Sequence, residues 1–156
     1  MSRKAKPGKK FKYGLGPVLK VRGIKERQEK ETFAKKQKEY FDEKEKEDQL
    51  EEDQAVKQGE LRDIVKQGPI SNFERVLRRR AHLSVLKKDI EEQVEKVIDA
   101  TKKLEQQRSK LMDAMKDKKI MEKDKSNRLK EYDELMKQLE IKFLDEVATQ
   151  RFKRKD

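Results

Sequence analysis

The fold is decided by residues 76 to 150, which read VLRRRAHLSVLKKDIEEQVEKVIDATKKLEQQRSKLMDAMKDKKIMEKDKSNRLKEYDELMKQLEIKFLDEVATQ. Steps of four and three residues through this stretch mark 22 positions, of which 13 are apolar. Apolar residues that recur every ~3.5 positions keep one side of a helix against a neighbour, as a coiled coil requires. The positions are Val76, Arg80, Leu83, Lys87, Ile90, Val94, Val97, Thr101, Leu104, Arg108, Leu111, Met115, Lys118, Glu122, Lys125, Leu129, Tyr132, Met136, Leu139, Phe143, Glu146 and Gln150.

The composition excludes most catalytic and metal-binding chemistry. With 156 residues, 48% of them charged and 32% hydrophobic, the chain has too little apolar material for an ordinary globular core. It has no cysteine and one histidine, so disulfides, thiolate sites and imidazole-rich sites are excluded. We therefore predict no catalytic residue, no metal site and no cofactor.

The positive charge is concentrated at the N-terminal end. Residues 1 to 38 hold 14 Lys or Arg and three Glu, which equals the whole net charge of +11. We predict a basic flexible tail over 1–14 and a short basic end over 153–156. Such a tail favours weak contact with an anionic membrane surface and no specific nucleic-acid recognition. No apolar run approaches the ~20 residues of a membrane span.

A first helix is predicted from about 17 to 66, because Gly16 and Pro17 suit a helix start. Its four-three ladder is less apolar, with seven apolar positions of 15. The acidic stretch from Asp42 to Asp53 leaves a solvated, partly frayed helix as an alternative there. The ladder positions are Leu15, Leu19, Arg22, Glu26, Glu29, Phe33, Lys36, Tyr40, Glu43, Glu47, Leu50, Gln54, Lys57, Leu61 and Ile64.

A turn over 67–71 separates this helix from a second one over about 71–151. Gly68 and Pro69 stop a helix, and Ser71 with Glu74 forms a capping box that starts the next. A short turn between helices that each carry an apolar stripe predicts an all-α fold, a long antiparallel coiled-coil hairpin over 15–152. The second helix is longer than the first, and the predicted register places Leu50 near Ile90.

Residues 129 to 147 continue the apolar stripe beyond the reach of the first helix. An uncovered stripe of this kind usually marks an interface, so we predict partner binding. Self-association, and a folding back of the N-terminal tail over part of the stripe, remain alternatives. The predicted partner-binding residues are Leu129, Tyr132, Leu135, Met136, Leu139, Phe143 and Val147 with Phe11, Tyr13, Leu15, Leu19 and Arg22.

Three polar features have plainer interpretations. The basic triplet Arg78 to Arg80 is more typical of a solvated face than of a recognition site, although the ladder places Arg80 on the seam. His82 is assigned no role. The polar rungs at Lys118, Glu122 and Lys125 mark either the end of the hairpin or a hinge.

Both ends of the chain resemble a known family. Phe11, Lys12, Tyr13, Leu15, Pro17, Val18, Leu19 and Arg22 are similar to the aromatic-basic-aromatic, Leu-x-Pro-Val-Leu opening of the flagellar FliJ family. Near the C-terminus, Asp145, Glu146, Ala148 and Arg151 resemble its closing Asp-Glu followed by a small and a basic residue. The added basic tail before Phe11 and the two glycines, Gly14 and Gly16, depart from that pattern.

The resemblance implies a non-enzymatic, two-helix coiled-coil component of the flagellar type III export apparatus. The implied partners are the hexameric export ATPase FliI, the export gate protein FlhA and export chaperones. The implied location is the cytoplasm, peripherally at the inner membrane. Two alternatives remain open: the equivalent stalk of a related secretion system, and a structural homodimer whose basic tail rests on nucleic acid or membrane.

Overall fold

Two helices make up almost all of the computed structural model, which describes residues 10–67 and 73–153. Helix α1 spans Gly16–Lys66 with 51 residues, and helix α2 spans Phe73–Lys153 with 81 residues. The described ranges contain no strand. The predicted all-α fold with a longer second helix is therefore confirmed.

Local chemistry explains where the helices begin and end. Pro17 lies in the first turn of α1, where its missing amide proton costs nothing, and the Gly16 amide donates to the Tyr13 carbonyl at 3.2 Å. Lys66 lies in the last turn of α1, and Arg151 and Lys153 in the last turn of α2, where cations favour the negative end of the helix dipole. The predicted break and capping box, at Gly68, Pro69 and Ser71, lie outside the described residues.

The chain divides into two compact units, which we name after their position in the sequence. The central unit is Gln28–Met112, and the terminal unit combines residues up to Arg27 with residues from Asp113 onward. Each unit contains part of both helices, and α1 remains helical throughout the acidic stretch 42–53. The partly frayed alternative for that stretch is not observed.

Polar pairs define the helix alignment in the central unit. The Gln93 amide donates to the Glu43 carbonyl at 2.9 Å and to its carboxylate, and Gln107 makes the same two bonds with Glu29. The Arg79 guanidinium donates to the Glu60 carboxylate at 2.8 Å. Partners that descend α1 as they ascend α2 show antiparallel pairing, within about one turn of the predicted register.

The ladder predicted for α1 agrees with the structure, whereas half of the ladder predicted for α2 is wrong. Every α1 ladder position from Leu19 to Ile64 is buried or half-buried. In α2, every seventh residue from Val76 to Lys118 is buried or half-buried as predicted, but up to Met121 the more buried intervening positions lie one residue earlier than predicted. The observed intervening positions are Arg79, Leu86, Gln93, Ala100, Gln107, Ala114 and Met121. Of the predicted intervening positions, Val94 is half-buried, whereas Arg80, Lys87, Thr101, Arg108, Met115 and Glu122 are exposed.

The shift has a physical reason. Ala114 is the most buried of the described apolar residues, at 3% exposure, and so small a side chain lets neighbouring atoms approach closely. Gln93 and Gln107 are buried because α1 supplies hydrogen-bond acceptors for their amides. Neither effect appears when positions are chosen by apolar character alone. Arg79 is half-buried at the seam position that was predicted for Arg80, and Arg80 is exposed.

Candidate partner-binding surface

All twelve predicted partner-binding residues belong to the terminal unit. In its C-terminal part, residues 133 to 153 of α2, not one residue is buried. This part of α2 carries exposed apolar side chains on two opposite sides.

The first side is the predicted stripe, called here the inner stripe. Leu129, Leu135 and Phe143 are exposed, Phe143 at 59%. The other four members, Tyr132, Met136, Leu139 and Val147, are half-buried. Their spacing of three, four and seven residues places all seven on one side of the helix. The structure thus places the predicted stripe on one surface of the terminal unit.

The second side, called here the outer stripe, was missed by the sequence analysis. It consists of Ile141, Leu144, Ala148 and Phe152, which are separated by three, four and four residues. Ile141, Leu144 and Phe152 are exposed at 59%, 63% and 80%. The same helical spacing rule predicts this stripe, but its residues lie on the side of α2 opposite to the predicted ladder.

The segment before α1 packs against α2. The rings of Phe11 and Tyr132 lie 5.6 Å apart between centroids, at 54°. The Tyr13 hydroxyl donates to the Asp124 carboxylate at 2.7 Å, and its ring is buried. The alternative in which the tail folds back on the stripe therefore holds for Phe11, whereas Leu15 is exposed. Of the predicted flexible tail 1–14, Phe11 and Tyr13 contact α2, and residues 1–9 lie outside the described ranges.

Electrostatics tighten the Tyr13 contact. Burial and the hydrogen bond to Asp124 raise the pKa of Tyr13, and that same hydrogen bond lowers the pKa of Asp124. Arg128 contributes twice, because it donates to Asp124 and lies 5.9 Å from the centre of the Tyr13 ring. The cluster thus holds the N-terminal segment beside the start of the inner stripe.

The first turns of α1 are held by polar contacts. Arg22 donates to the Asp117 carbonyl at 2.8 Å, and Lys118 pairs with the buried Glu26 at 2.8 Å. The hydrogen bond to Glu26 raises the pKa of Lys118. Lys118, predicted as an end or a hinge of the seam, therefore lies within the helix pairing of the terminal unit.

Three further features of the described residues concern metal binding, membrane spanning and surface grooves. Within 10–67 and 73–153, no group of His, Asp and Glu side chains has the arrangement of a metal site. Neither helix, over the same ranges, contains a stretch apolar enough to cross a bilayer. In the central unit, an open groove is lined by Arg75, Arg78, Arg79 and His82 with Lys57 and Glu60.

Comparisons with known proteins agree with this architecture. The family model described as Flagellar FliJ protein matches residues 11–156. A solved structure described as a YscO homologue of Chlamydia trachomatis superposes with a TM-score of 0.52 and 23% sequence identity. The alignment covers 90% of this chain and 94% of that one, and at this identity the likeness shows the fold. Among curated proteins, none matches this sequence.

Proposed function

This chain belongs to the flagellar FliJ family, and from that premise we propose that it is a stalk-like adaptor between an export ATPase ring and the export gate. The family comprises non-enzymatic coiled-coil components of the type III export apparatus. The finer proposal has three parts: a FliI-like hexameric ATPase holds the terminal unit, an FlhA-like gate protein is a second partner, and export chaperones are escorted. It includes a position at the cytoplasmic side of the inner membrane.

The observation that carries the ATPase assignment is the pair of opposite apolar stripes on α2. Phe143 of the inner stripe and Leu144 of the outer stripe are neighbours in sequence, point to different sides, and are about equally exposed. A helix with one apolar side suits a groove on a flat partner, whereas a helix with apolar residues on opposite sides needs partner atoms on both. A closed ring supplies such surroundings.

The charged residues of the same segment support a protein partner. Residues 133 to 153 contain four basic and five acidic side chains, so they have almost no net charge. Apolar contact therefore has to supply most of the binding free energy, in contrast to the basic residues 10 to 27. The exposed part of the inner stripe and the outer stripe together provide it.

The experiment tests each stripe separately. We expect Leu139→Asp with Phe143→Asp, and independently Ile141→Asp with Leu144→Asp, to weaken capture of the hexameric ATPase by at least about tenfold, since a charge in an apolar contact costs several kcal/mol. Helix content by circular dichroism stays nearly unchanged, because no residue of 133–153 is buried.

A matched control is Val56→Asp with Val85→Asp, two apolar residues of the central unit that are exposed at 52% and 54%. This control should capture the ATPase as the natural protein does. If only the inner-stripe variant loses capture, α2 binds in a groove on the ATPase and is not encircled by a ring. Unchanged capture by both stripe variants would refute the assignment of this end.

The structural homodimer is the competing function, because two exposed stripes can also associate with a second copy. Light scattering separates the two proposals. A monomer supports the adaptor, whereas a dimer that survives dilution and is lost in the stripe variants supports the homodimer.

A further inference from the structure

The first turns of α1 expose an apolar patch on the side turned away from α2. Leu19, Arg22 and Glu26 are half-buried or buried in the pairing with α2. With ~3.6 residues per turn, a residue one or two positions away from these points sideways or outward. The patch is Val18, Val21 and Ile24, which are exposed at 41%, 64% and 46%.

The segment that carries this patch is rich in exposed positive charge. Five cations of the segment are exposed, and among residues 10–67 and 73–153 no carboxylate forms an ion pair with any of them. The one acidic residue between 10 and 27 is Glu26, which is buried and paired with Lys118. The sequence adds four more basic residues before Lys10. The five exposed cations are Lys10, Lys12, Lys20, Lys25 and Arg27.

We propose that this outward side of α1, formed by Val18, Val21 and Ile24 with Lys20, Lys25 and Arg27 and preceded in sequence by Lys10 and Lys12, binds the surface of an anionic lipid bilayer. Apolar side chains of an interfacial helix enter the boundary between headgroups and acyl chains. Lysine stems lie along that boundary while their ammonium groups contact lipid phosphates. The helix lies on the membrane and does not cross it, in keeping with the absence of a spanning stretch in the described helices.

Lipid fits this surface better than nucleic acid does. Proteins that bind single-stranded nucleic acid expose aromatic rings on which bases stack. Here the nearby aromatic residues are occupied, because Tyr13 is buried on Asp124 and Phe11 packs on Tyr132. The exposed apolar residues are aliphatic. Covering them with lipid is favourable, because it removes their apolar surface from water.

The test is flotation of the full chain with vesicles of equal parts phosphatidylglycerol and phosphatidylcholine, compared with pure phosphatidylcholine vesicles. We expect binding to the anionic vesicles that falls as salt rises. Val21→Ser with Ile24→Ser should lower the partition coefficient by about tenfold, since two aliphatic side chains no longer enter the interface. Lys20→Glu with Lys25→Glu should lower it by at least as much.

The matched control is Val56→Ser with Val65→Ser, which removes two apolar residues of α1 exposed at 52% and 55% in the central unit. This control should bind the vesicles as the natural chain does. Equal binding to neutral vesicles, no binding to anionic vesicles at low salt, or a loss as large in the control would overturn the proposal. So would binding that is insensitive to Val21→Ser with Ile24→Ser and is matched by duplex DNA.

The inference does not depend on the adaptor role. The ATPase assignment rests on the two apolar stripes of α2, and Val21 and Ile24 belong to neither, so the Val21→Ser, Ile24→Ser variant should still capture the ATPase. Loss of vesicle binding with retained capture separates the two surfaces, and the Asp variants of the stripes should give the reverse result.

Discussion

Helix α2 has two regions of similar composition and different surroundings. Between Val76 and Leu111 it pairs with α1, so that Leu86 is 6% exposed and Gln93 is 5% exposed. Between 133 and 153 it has no buried residue, and Phe143 is 59% exposed. Apolar residues at helical spacing therefore stabilise the fold in the first region and remain available to a partner in the second. Stability and binding should be separable by mutation along one helix.

The largest contrast is expected from truncating one large apolar residue in each region. Leu86→Ala should lower the free energy of unfolding by about 2 to 3 kcal/mol, because it empties a packed position. Phe143→Ala should change it by less than about 0.5 kcal/mol, since the ring is largely solvated already. Urea unfolding followed by circular dichroism measures both.

The same two variants should reverse their order in a binding assay. Phe143→Ala should weaken capture of the export ATPase, whereas Leu86→Ala should retain it at temperatures where the chain is folded. Equal losses of stability in the two variants would contradict the comparison, because they would mean that residues 133 to 153 already have a partner within the chain.

A smaller contrast is expected from two glutamines of α2. Gln93→Ala removes the amide that donates to the Glu43 carbonyl and carboxylate, which should cost about 1 kcal/mol of stability. Gln138→Ala, at an exposed position of the second region, should be neutral. Gln93 also helps to hold Glu43 ionised, because hydrogen bonds from Lys46 and Gln93 lower the pKa of that carboxyl.

The consequence of that lowered pKa has a definite sign. A carboxyl with a lower pKa in the folded state adds stability above its ordinary pKa and loses it as the pH falls through the lowered value. The penalty of Gln93→Ala should therefore shrink on acidification below the ordinary carboxyl range. A penalty that stays constant below that range as well would show that the pairing with the Glu43 carboxylate is not its source.

The sequence was sufficient for the architecture because helix period and breaker position are local properties. Two helices, their order of length, their antiparallel register and the α1 ladder all follow from spacing and from Gly and Pro. The α2 ladder failed at alternate positions because Ala100 and Ala114 are favoured there by size, and Gln93 and Gln107 by acceptors on α1. Those causes depend on the packing against α1, so the spacing of residues along α2 alone does not reveal them.

The candidate surface was predictable in part. The inner stripe follows from the same periodicity, and its members remain predicted partner-binding residues. The outer stripe was within reach of the sequence, since Ile141, Leu144 and Phe152 share a helical spacing. The docking of Tyr13 on Asp124 could not be predicted from the sequence. A hydrogen bond between residues 111 positions apart depends on the helix register and on the path of the backbone before α1.

The smallest effect is expected at that contact, which joins the N-terminal segment to α2 without supporting the rest of the fold. A tyrosine whose pKa is raised on docking favours the docked state fully below its ordinary value of 10.0. That contribution is lost as the pH rises through the raised value. Alkaline pH should therefore release the segment while both helices persist.

Absorbance titration can isolate this group, since the tyrosinate signal of the natural chain minus that of Tyr13→Phe belongs to Tyr13. Its midpoint should lie above 10.0 and should move down in Asp124→Asn, because the carboxylate that accepts its proton and opposes its ionisation is gone. Amide exchange at residues 12 to 14 should accelerate in Tyr13→Phe. If it does not, Phe11 on Tyr132 suffices to hold the segment, and the inner stripe stays covered at Tyr132 without help from Tyr13.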